Sequence, residues 1–294
     1  MRRITIVAIL ALLLPQLAFG WGKVGHKTVA EIAERNLTPK AKRHIRKYIG
    51  KVPLADLSLW MDQVRNENIE PYKSMSAAWH ASIADCDCTS PQVVRDRYRG
   101  GNDGVTAMYN FREQLKNYRK MPKEEVAAAI KFMIHIVGDF HCPSHLRYVD
   151  YENKGNFAVN FMGKKSYLHK VWDSGVVGRY HKGWDHIKYA DHLNTLSQDQ
   201  IETITAGWAQ EWFESAARDI RPAIYWVYDG KTIENLDQKF LDKAGPLVEQ
   251  QNQQAGNHFP HGSYLFIKNA ECEGPEPFCI LHFEFCIYPA QPFS

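Results

Sequence analysis

The stretch Lys131-Phe-Met-Ile-His135-Ile-Val-Gly-Asp139-Phe-His141-Cys-Pro-Ser-His145 sets three imidazoles and one carboxylate in an otherwise apolar run. His135 and Asp139 are four residues apart, so on a helix both side chains project from one face. Pro143 then ends the helix, because proline disfavours helical backbone before it and has no amide donor. His145 is expected to leave at a different angle. Imidazole and carboxylate suit zinc, so the pattern predicts metal ligands at a helix end; the alternative is a polar face packed on neighbouring helices.

The rest of the composition is typical of one globular domain. The 294 residues are 45% hydrophobic, and Pro and Gly are scattered along the chain. The sequence has no internal repeats and no linker, and alternation around 156–161 predicts a short hairpin. We therefore expect a mainly α, single-domain helical bundle with a short β-hairpin. Helical patterns run to Asn36, begin again at Thr38-Pro39, and cover Leu54–Arg65, Val105–Tyr118, Glu124–Phe140, His169–Asp173, part of Ile204–Tyr228, and Asn235–Gln254.

Residues 1–20 are interpreted as a cleaved signal peptide. Two arginines precede the apolar run Ile4–Leu14, and small residues that suit a signal peptidase end the segment. A membrane anchor is the alternative, but the run is interrupted by Pro15 and is short for a bilayer. We expect a secreted or periplasmic protein that begins at Trp21 and has no membrane segment after cleavage.

The charge of the mature chain argues against a general polyanion binder. The formal charge of +3 falls to +1 when the two signal-peptide arginines are removed. Contact with nucleic acid must then be local, through bound metal or a few arginines. The basic run at 40–47 is interpreted as a solvated helix face, with a nucleic-acid contact as the alternative.

The cysteines indicate an oxidising compartment. All six follow the predicted signal peptide, so disulfides are expected, although their pairing cannot be assigned from sequence. Cys86 and Cys88 are two residues apart and would strain to pair with each other, which favours partners further along the chain. The six are Cys86, Cys88, Cys142, Cys272, Cys279 and Cys286.

Nine residues are candidate metal ligands. They comprise two HxxxD pairs, a histidine after the proline, an isolated Asp and His, and the predicted N-terminal residue with a histidine five positions later. Asp62 or His80 alone would be read as a structural polar residue, but the whole set reverses that reading. The nine are Trp21, His26, Asp62, His80, His135, Asp139, His145, His169 and Asp173.

Together these motifs resemble the single-strand-specific zinc-dependent nucleases of fungi, plants and bacteria, which are distantly related to the zinc-dependent phospholipases C. The resemblance covers roughly Trp21 to Gly256. The motifs that carry it are Trp21-Gly-Lys-Val-Gly-His26, Trp60-Met-Asp62-Gln-Val-Arg65, His80, His135-Ile-Val-Gly-Asp139-Phe-His-Cys-Pro-Ser-His145, Gly155-Asn156 and Leu168-His169-Lys-Val-Trp-Asp173.

The resemblance implies three Zn²⁺ ions and a helical fold of the zinc-dependent phospholipase C/nuclease type. The first ion would be held by Asp62, His80, His135 and Asp139. The second would be held by His26 and by the backbone nitrogen and carbonyl of Trp21, with Asp139 bridging the pair. The third would be held by His145, His169 and Asp173.

The implied reaction is hydrolysis of single-stranded DNA and RNA to 5′-nucleotides by a zinc-activated hydroxide, with possible 3′-nucleotidase activity. Asp139 would orient the hydroxide. Arg65 and Asn156 match substrate-binding positions, and Arg65 would stabilise negative charge on the phosphate; its alternative reading is a surface arginine. The expected partner is a single-stranded nucleic acid or a nucleotide, bound by a monomer.

Two features depart from the family pattern. The family usually has an aromatic residue after His80, where this chain has Ala81, so base stacking would fall to Trp79, Tyr72 or Tyr148. The closing helix is expected to lose its pattern at Gly256. We therefore divide the mature chain into a nuclease domain at 21–256 and a divergent Cys- and Pro-rich tail at 257–294. His141 matches no ligand position.

Two other functions compete with the nuclease. A zinc-dependent phospholipase C typically has Glu where this chain has Asp173, and a longer spacing between its N-terminal Trp and the following His. The five residues from Trp21 to His26 favour the nuclease. A non-catalytic zinc-binding protein would close its coordination shells, and Arg65 beside the ions would then only repel them.

Overall fold

The computed structural model describes residues 21–151 and 156–269, with backbone alone for 262–269. The fold is mainly helical, as expected. The predicted signal peptide and most of the tail lie outside the described residues. The helices in chain order are α1 (Lys23–Asn36), α2 (Pro39–Ile49), α3 (Leu54–Leu57), α4 (Trp60–Asn66), α5 (Tyr72–Ser76), α6 (Gln92–Arg99), α7 (Gly104–Leu115), α8 (Lys123–Phe140), α9 (Leu168–Lys170), α10 (Val176–Tyr180), α11 (His186–Leu193), α12 (Gln198–Ile204), α13 (Ala209–Ile220) and α14 (Gln238–Asn269).

Helix α8 is the centre of the bundle. From Val126 to Phe140 every side chain except that of Lys131 is buried, because the sequence is apolar on all faces of the helix. Helices α1, α2, α4, α7, α13 and α14 pack against it. The first turn carries Glu124 and Glu125, whose charges suit a helix N-terminus. The opening stretch therefore lies in the core, and its helix ends at Phe140 as Pro143 predicts.

Two small sheets complete the fold. Strands β3 (Ala158–Phe161) and β4 (Lys164–Tyr167) form the predicted antiparallel hairpin, and β5 (Asn235–Leu236) adds to β3 in parallel. The hairpin turn has positive φ at both Met162 and Gly163, which matches the right-handed twist of the strands. The second sheet was not anticipated: β1 (Ser82–Ala84) runs parallel to β2 (Leu146–Tyr148).

The segment Leu54–Arg65 is not the single helix that its periodicity predicts. It breaks into α3 and α4 at Ser58, whose hydroxyl donates to the carbonyl of Ala55 at 2.8 Å. The break leaves the Ser58 carbonyl outside the helical ladder. That carbonyl instead accepts a hydrogen bond from Nδ1 of His135 at 2.7 Å. A tertiary contact therefore outweighs local helical preference here.

The HxxxD pair at His169 and Asp173 also departs from a regular helix. Helix α9 covers only Leu168–Lys170, and Val171–Gly175 widens into a π turn before α10. Such turns add a residue to the helical repeat and are frequent at functional sites. The four-residue spacing still brings the pair together, with Nε2 of His169 3.2 Å from Oδ2 of Asp173.

The closing helix runs further than expected. The helical pattern was expected to stop at Gly256, but α14 continues to Asn269. The prediction failed because the polar residues that hide the pattern are buried against specific partners. The imidazole of His258 stacks on Trp212 at 4.6 Å and donates from Nε2 to the carbonyl of Ile204 at 2.8 Å. Phe259 is 3% exposed, so the core extends past the predicted boundary.

Three of the cysteines lie in the part of the chain that the structure describes. None of them, Cys86, Cys88 or Cys142, forms a disulfide there. Cys86 is exposed, and the other two are buried. Cys272, Cys279 and Cys286 lie outside the described residues. Within those residues, no helix is both long and apolar enough to cross a membrane.

Candidate metal centre

Asp139, at the end of α8, has four histidines within 4 Å of its carboxylate, and three of them lie within 3.5 Å. Its Oδ2 lies 3.0 Å from Nδ1 of His80 and 3.3 Å from Nε2 of His135. Its Oδ1 lies 3.4 Å from Nε2 of His26. All four side chains are buried. One carboxylate among three imidazoles, with no apolar layer between them, has the ligand chemistry of a zinc site.

The N-terminal segment is packed directly over α8. An added Cβ at Gly138 would lie 2.7 Å from Nδ1 of His26 and 3.6 Å from Cδ1 of Trp21, so both rings cover that glycine. The ring of His26 also stacks on that of His135, with centroids 4.0 Å apart. The amide of Gly22 donates to the carbonyl of Asp173 at 2.6 Å. These contacts hold Trp21 and His26 at the centre.

Asp62 comes from α4 and completes the inner part of the set. Three ligand atoms lie within 4.8 Å of one another here, one each from Asp62, His26 and His135. Asp62 is 2% exposed, and neither of its carboxylate oxygens has a hydrogen-bond donor. The guanidinium of Arg65, one turn later, is 3.8 Å from Oδ1 of Asp62. Burying a carboxylate with so little neutralisation costs free energy of folding unless a cation binds it.

The outer part of the set is built by the exit from α8 and by the π turn. Nε2 of His145 lies 3.8 Å from Oδ1 of Asp173, and the rings of His145 and His169 have centroids 5.0 Å apart. The parallel pairing of β1 with β2 explains the position of His145, because His80 and His145 each precede one of these strands. The inner and outer groups of candidate ligands therefore lie next to each other, with His80 and His145 at their border.

Backbone carbonyls orient two of the imidazoles. Nδ1 of His135 donates to the carbonyl of Ser58, and Nδ1 of His145 donates to the carbonyl of His80. Each bond turns the Nε2 atom of its ring toward a carboxylate. This arrangement, in which one ring nitrogen is held by a carbonyl and the other faces the site, is typical of metal-ligating histidines.

Burial and mutual charge shift the proton affinities of the set in different directions. Burial lowers the pKa of His135, but the carboxylates of Asp139 and Asp62 outweigh it and raise that pKa to about 9. Burial alone would raise the pKa of Asp139, but the surrounding imidazoles hold it well below its usual range. Burial lowers the pKa of His145 to about 3 and raises that of Asp173 to about 6. Protons and a cation therefore compete for the same buried atoms.

The residues present fit zinc. Seven of the eight histidine and aspartate candidates have at least one buried side-chain nitrogen or oxygen without a hydrogen-bond partner, a situation that native interiors avoid. Unpaired imidazole nitrogens and carboxylate oxygens are the atoms that zinc binds. The seven are His26, Asp62, His80, His135, Asp139, His145 and His169.

Grouping by distance differs from the grouping that the resemblance implies. Ligand atoms within 4.8 Å of one another join His80 with Asp139 and His145 in one group, and place His26 with Asp62 and His135 in another. The resemblance instead assigns His26 to the second ion and His145 to the third. Asp139 lies within 4 Å of His26 and His135 in one group and of His80 and His145 in the other, so the two groups adjoin.

The residues that were expected to contact the substrate differ in their exposure and in their partners. Arg65 is partly exposed beside Asp62. Asn156 accepts from the backbone amide of His169 at 3.2 Å, so it supports a candidate ligand. Tyr148 is 2% exposed and its hydroxyl donates to the carbonyl of Ala217, so its ring offers little surface to a base. Trp79 is half-buried, and its Nε1 donates to Asn102 at 2.7 Å.

His141 lies outside the set. Its Nδ1 donates to the carbonyl of Val137 at 2.8 Å, one helical turn earlier. The ring packs against that of His258, with centroids 4.9 Å apart. Burial lowers the pKa of His141 to about 4, which keeps the ring neutral in the core. Both imidazoles therefore belong to the packing between α8 and α14.

Sequence reasoning missed three residues that shape the centre. Ser144 donates its hydroxyl to Oδ1 of Asp173, and the thiol of Cys142 lies 3.5 Å from the same oxygen. Gly138 allows the close approach of His26. A signal for the glycine was present, because glycine lowers helix stability and yet stands inside an otherwise strong helical pattern. The two polar residues had no such signal.

Comparison with known proteins agrees with this geometry. The family model described as S1/P1 Nuclease matches residues 21–259. Nuclease S1 of Aspergillus oryzae is 25% identical over 281 residues, 87% of this chain and 95% of its own length. Endonuclease 2 of Arabidopsis thaliana is 26% identical over 266 residues, 81% of this chain and 87% of its own. The resemblance inferred from the motifs is confirmed: the chain belongs to the S1/P1 nuclease family.

Proposed function

We propose that this protein is a zinc-dependent phosphodiesterase that hydrolyses single-stranded DNA and RNA to 5′-nucleotides. The observation that carries the proposal is the buried position of Asp139 among His26, His80 and His135, in a chain that belongs to a nuclease family. The fold does not require three histidines and an ionised carboxylate to converge in the core at a helix end. Their use is to hold cations against a phosphate.

Three zinc ions would share the nine candidates. Asp62, His80 and His135 would hold the first with Asp139, which would also reach the second beside His26 and the backbone of Trp21. His145, His169 and Asp173 would hold the third. Zinc supplies Lewis-acid stabilisation of phosphoryl oxygens and lowers the pKa of water to about 7.

The protein residues supply orientation and charge. Asp139 stays ionised, so its oxygens can accept a hydrogen bond from an attacking water and align it. Arg65 is 27% exposed in its side chain, which places its guanidinium between solvent and the buried Asp62. From there it can bind a phosphate with two parallel hydrogen bonds and stabilise equatorial charge in the transition state.

A small cleft that is open to solvent lies beside the outer ligands. Its cavity volume is about 30 Å³, and Ser144, Arg147, Tyr151 and Trp172 are among its walls. Ser144 also contacts Asp173, so the cleft adjoins the centre. Aromatic walls with a cationic side chain hold bases by stacking, which a paired duplex does not offer. A base stacked at the mouth of this cleft would account for a preference for single strands.

The test is hydrolysis by the mature chain that begins at Trp21. We expect about three zinc ions bound at the centre, cleavage of single-stranded DNA and RNA with 5′-phosphate ends, and loss of cleavage with a chelator. Asp139→Asn should abolish turnover. Cleavage of phosphatidylcholine instead of nucleic acid would show a phospholipase C, and zinc binding without either activity would show a binding protein.

The N-terminus gives a second test. An α-amine titrates near pH 8 and binds zinc only when deprotonated, whereas the amide of an extended chain cannot ligate in this way. A chain with a protease-cleavable leader before Trp21 should be nearly inactive and should regain activity on cleavage. Equal activity and equal zinc content before and after cleavage would contradict the role of Trp21.

A further inference from the structure

A second cluster of metal-binding side chains lies outside the nine candidates. It joins His181, just after α10, with His192 in the last turn of α11 and with Glu249 in α14. One ligand atom from each lies within 4.8 Å of the other two. Nothing in the nuclease reaction described above uses these residues.

Both histidines approach the same carboxylate oxygen. Oε1 of Glu249 is 2.7 Å from Nε2 of His181 and 3.2 Å from Nε2 of His192. Ligand atoms on a tetrahedral zinc with bonds of about 2.0–2.1 Å are about 3.3 Å apart. Both distances to Oε1 are therefore within about 0.6 Å of that value, and the two Nε2 atoms lie within 4.8 Å of each other. The two rings meet at 68°, so their nitrogens converge from different directions.

An aromatic wall fixes the two rings. Trp184 stacks on His181 at 3.9 Å with an interplanar angle of 6°, and meets His192 edge-on at 5.3 Å. The edge of Tyr189 closes another side of His181 at 5.5 Å. Rigid support of this kind holds ligands in a fixed geometry before an ion binds.

Exposure leaves one side of the cluster open. The side chains of His181 and Glu249 are 25% and 17% exposed, whereas that of His192 is 46% exposed. An ion can therefore enter from solvent beside His192 and keep a water as its fourth ligand. Two imidazoles and one carboxylate select zinc and neighbouring transition metals over calcium or magnesium, which prefer oxygen ligands.

We propose that His181, His192 and Glu249 form a further zinc site that ties α14 to the segment from α10 to α11. The bound ion fastens α14 from outside, and α14 packs along α1, the helix that carries His26. The site shares no ligand with the centre at Asp139. It acts on the stability of the fold and takes no part in hydrolysis.

The test is zinc content at equilibrium. The mature protein is dialysed against buffer with about 10 µM zinc, a concentration that fills sites of micromolar affinity. The number of zinc ions per chain is then measured in wild type, His192→Ala and Glu249→Gln. His186→Ala is the matched control, because His186 is a half-buried histidine at the start of the same helix and lies outside the cluster. We expect one ion fewer in His192→Ala and Glu249→Gln, an unchanged count in the control, and unchanged cleavage of single-stranded DNA in all of them.

A second readout separates an ion from a simple hydrogen-bonded cluster. Raising zinc from about 10 to 100 µM should raise the Tm of wild type and of His186→Ala, because an ion that binds only the folded state stabilises it. The Tm of His192→Ala should rise less, because that variant has one zinc site fewer in its folded state. Equal zinc counts and equal Tm responses in wild type and His192→Ala would overturn the proposal and leave Glu249 as an acceptor of two N–H donors. Because the proposal does not rest on the nuclease activity, an inactive protein with the extra ion would still support it.

Discussion

Replacing Gly138 by alanine tests how the centre is built. The new Cβ would lie 2.7 Å from Nδ1 and 3.0 Å from Cε1 of His26. Ordinary contacts begin near 3.4 Å, so the ring must move by about 0.7 Å or the helix must shift. Zinc sites tolerate ligand displacements of about 0.2 Å. Gly138→Ala should therefore lose the ion at His26 and most nuclease activity.

A second glycine provides a control that separates the effect of the clash on the free energy of unfolding from the effect of helix propensity. Gly178, in α10, has nothing within 4 Å of the position that an added methyl group would take, so Gly178→Ala gains helix stability without a clash. Glycine to alanine in a helix gains about 1 kcal/mol, and overpacking costs about 1–3 kcal/mol. The helix gain cancels between the variants, so Gly138→Ala should be about 1–3 kcal/mol less stable than Gly178→Ala.

Urea unfolding, zinc content and cleavage of single-stranded DNA measure these effects together. Gly178→Ala should keep its zinc and its activity, and should be slightly more stable than wild type. The reasoning about His26 would be refuted if Gly138→Ala were as stable as Gly178→Ala and kept its full zinc content.

Three further predictions concern the ions, the phosphate and acid. Removing zinc with a chelator should lower Tm by about 10 °C, because the buried carboxylates lose their cations, and added zinc should restore it; an unchanged Tm would show that the ions do not stabilise the fold. Arg65→Ala should lower kcat/KM for single-stranded DNA about 100-fold with unchanged zinc content, and Arg65→Lys should lose less; equal losses would argue against a charge role. Burial, and next the neighbouring His141, hold the pKa of His258 well below its usual value, so the folded state excludes a proton that the unfolded chain binds below about pH 6.5. Stability should fall as pH drops from 6.5 to 5, with a shallower fall in His258→Gln; parallel pH profiles of Tm would contradict this.

The helical character of the fold and the candidate ligands could both be read from local patterns. Periodicity marked α8, and the pairs at His135 and His169 kept their spacing in the structure because i and i+4 positions are neighbours even across a π turn. The break at Ser58 and the continuation of α14 past Gly256 could not be read in this way. Both depend on partners far along the chain, namely His135 in one case and Trp212 in the other.

The sequence by itself determined which chemistry is available: imidazoles and carboxylates at ligand spacing, a predicted N-terminal Trp21, and the apolar helix that carries Asp139. Only the tertiary structure decided how close these groups come. The parallel pairing of β1 with β2 brings His80 to His145, and Gly138 brings His26 to α8. The same is true of the cluster at Glu249, whose members are scattered over three helical segments and share no motif. Helical spacing acts over one turn, whereas such meetings depend on how distant segments pack.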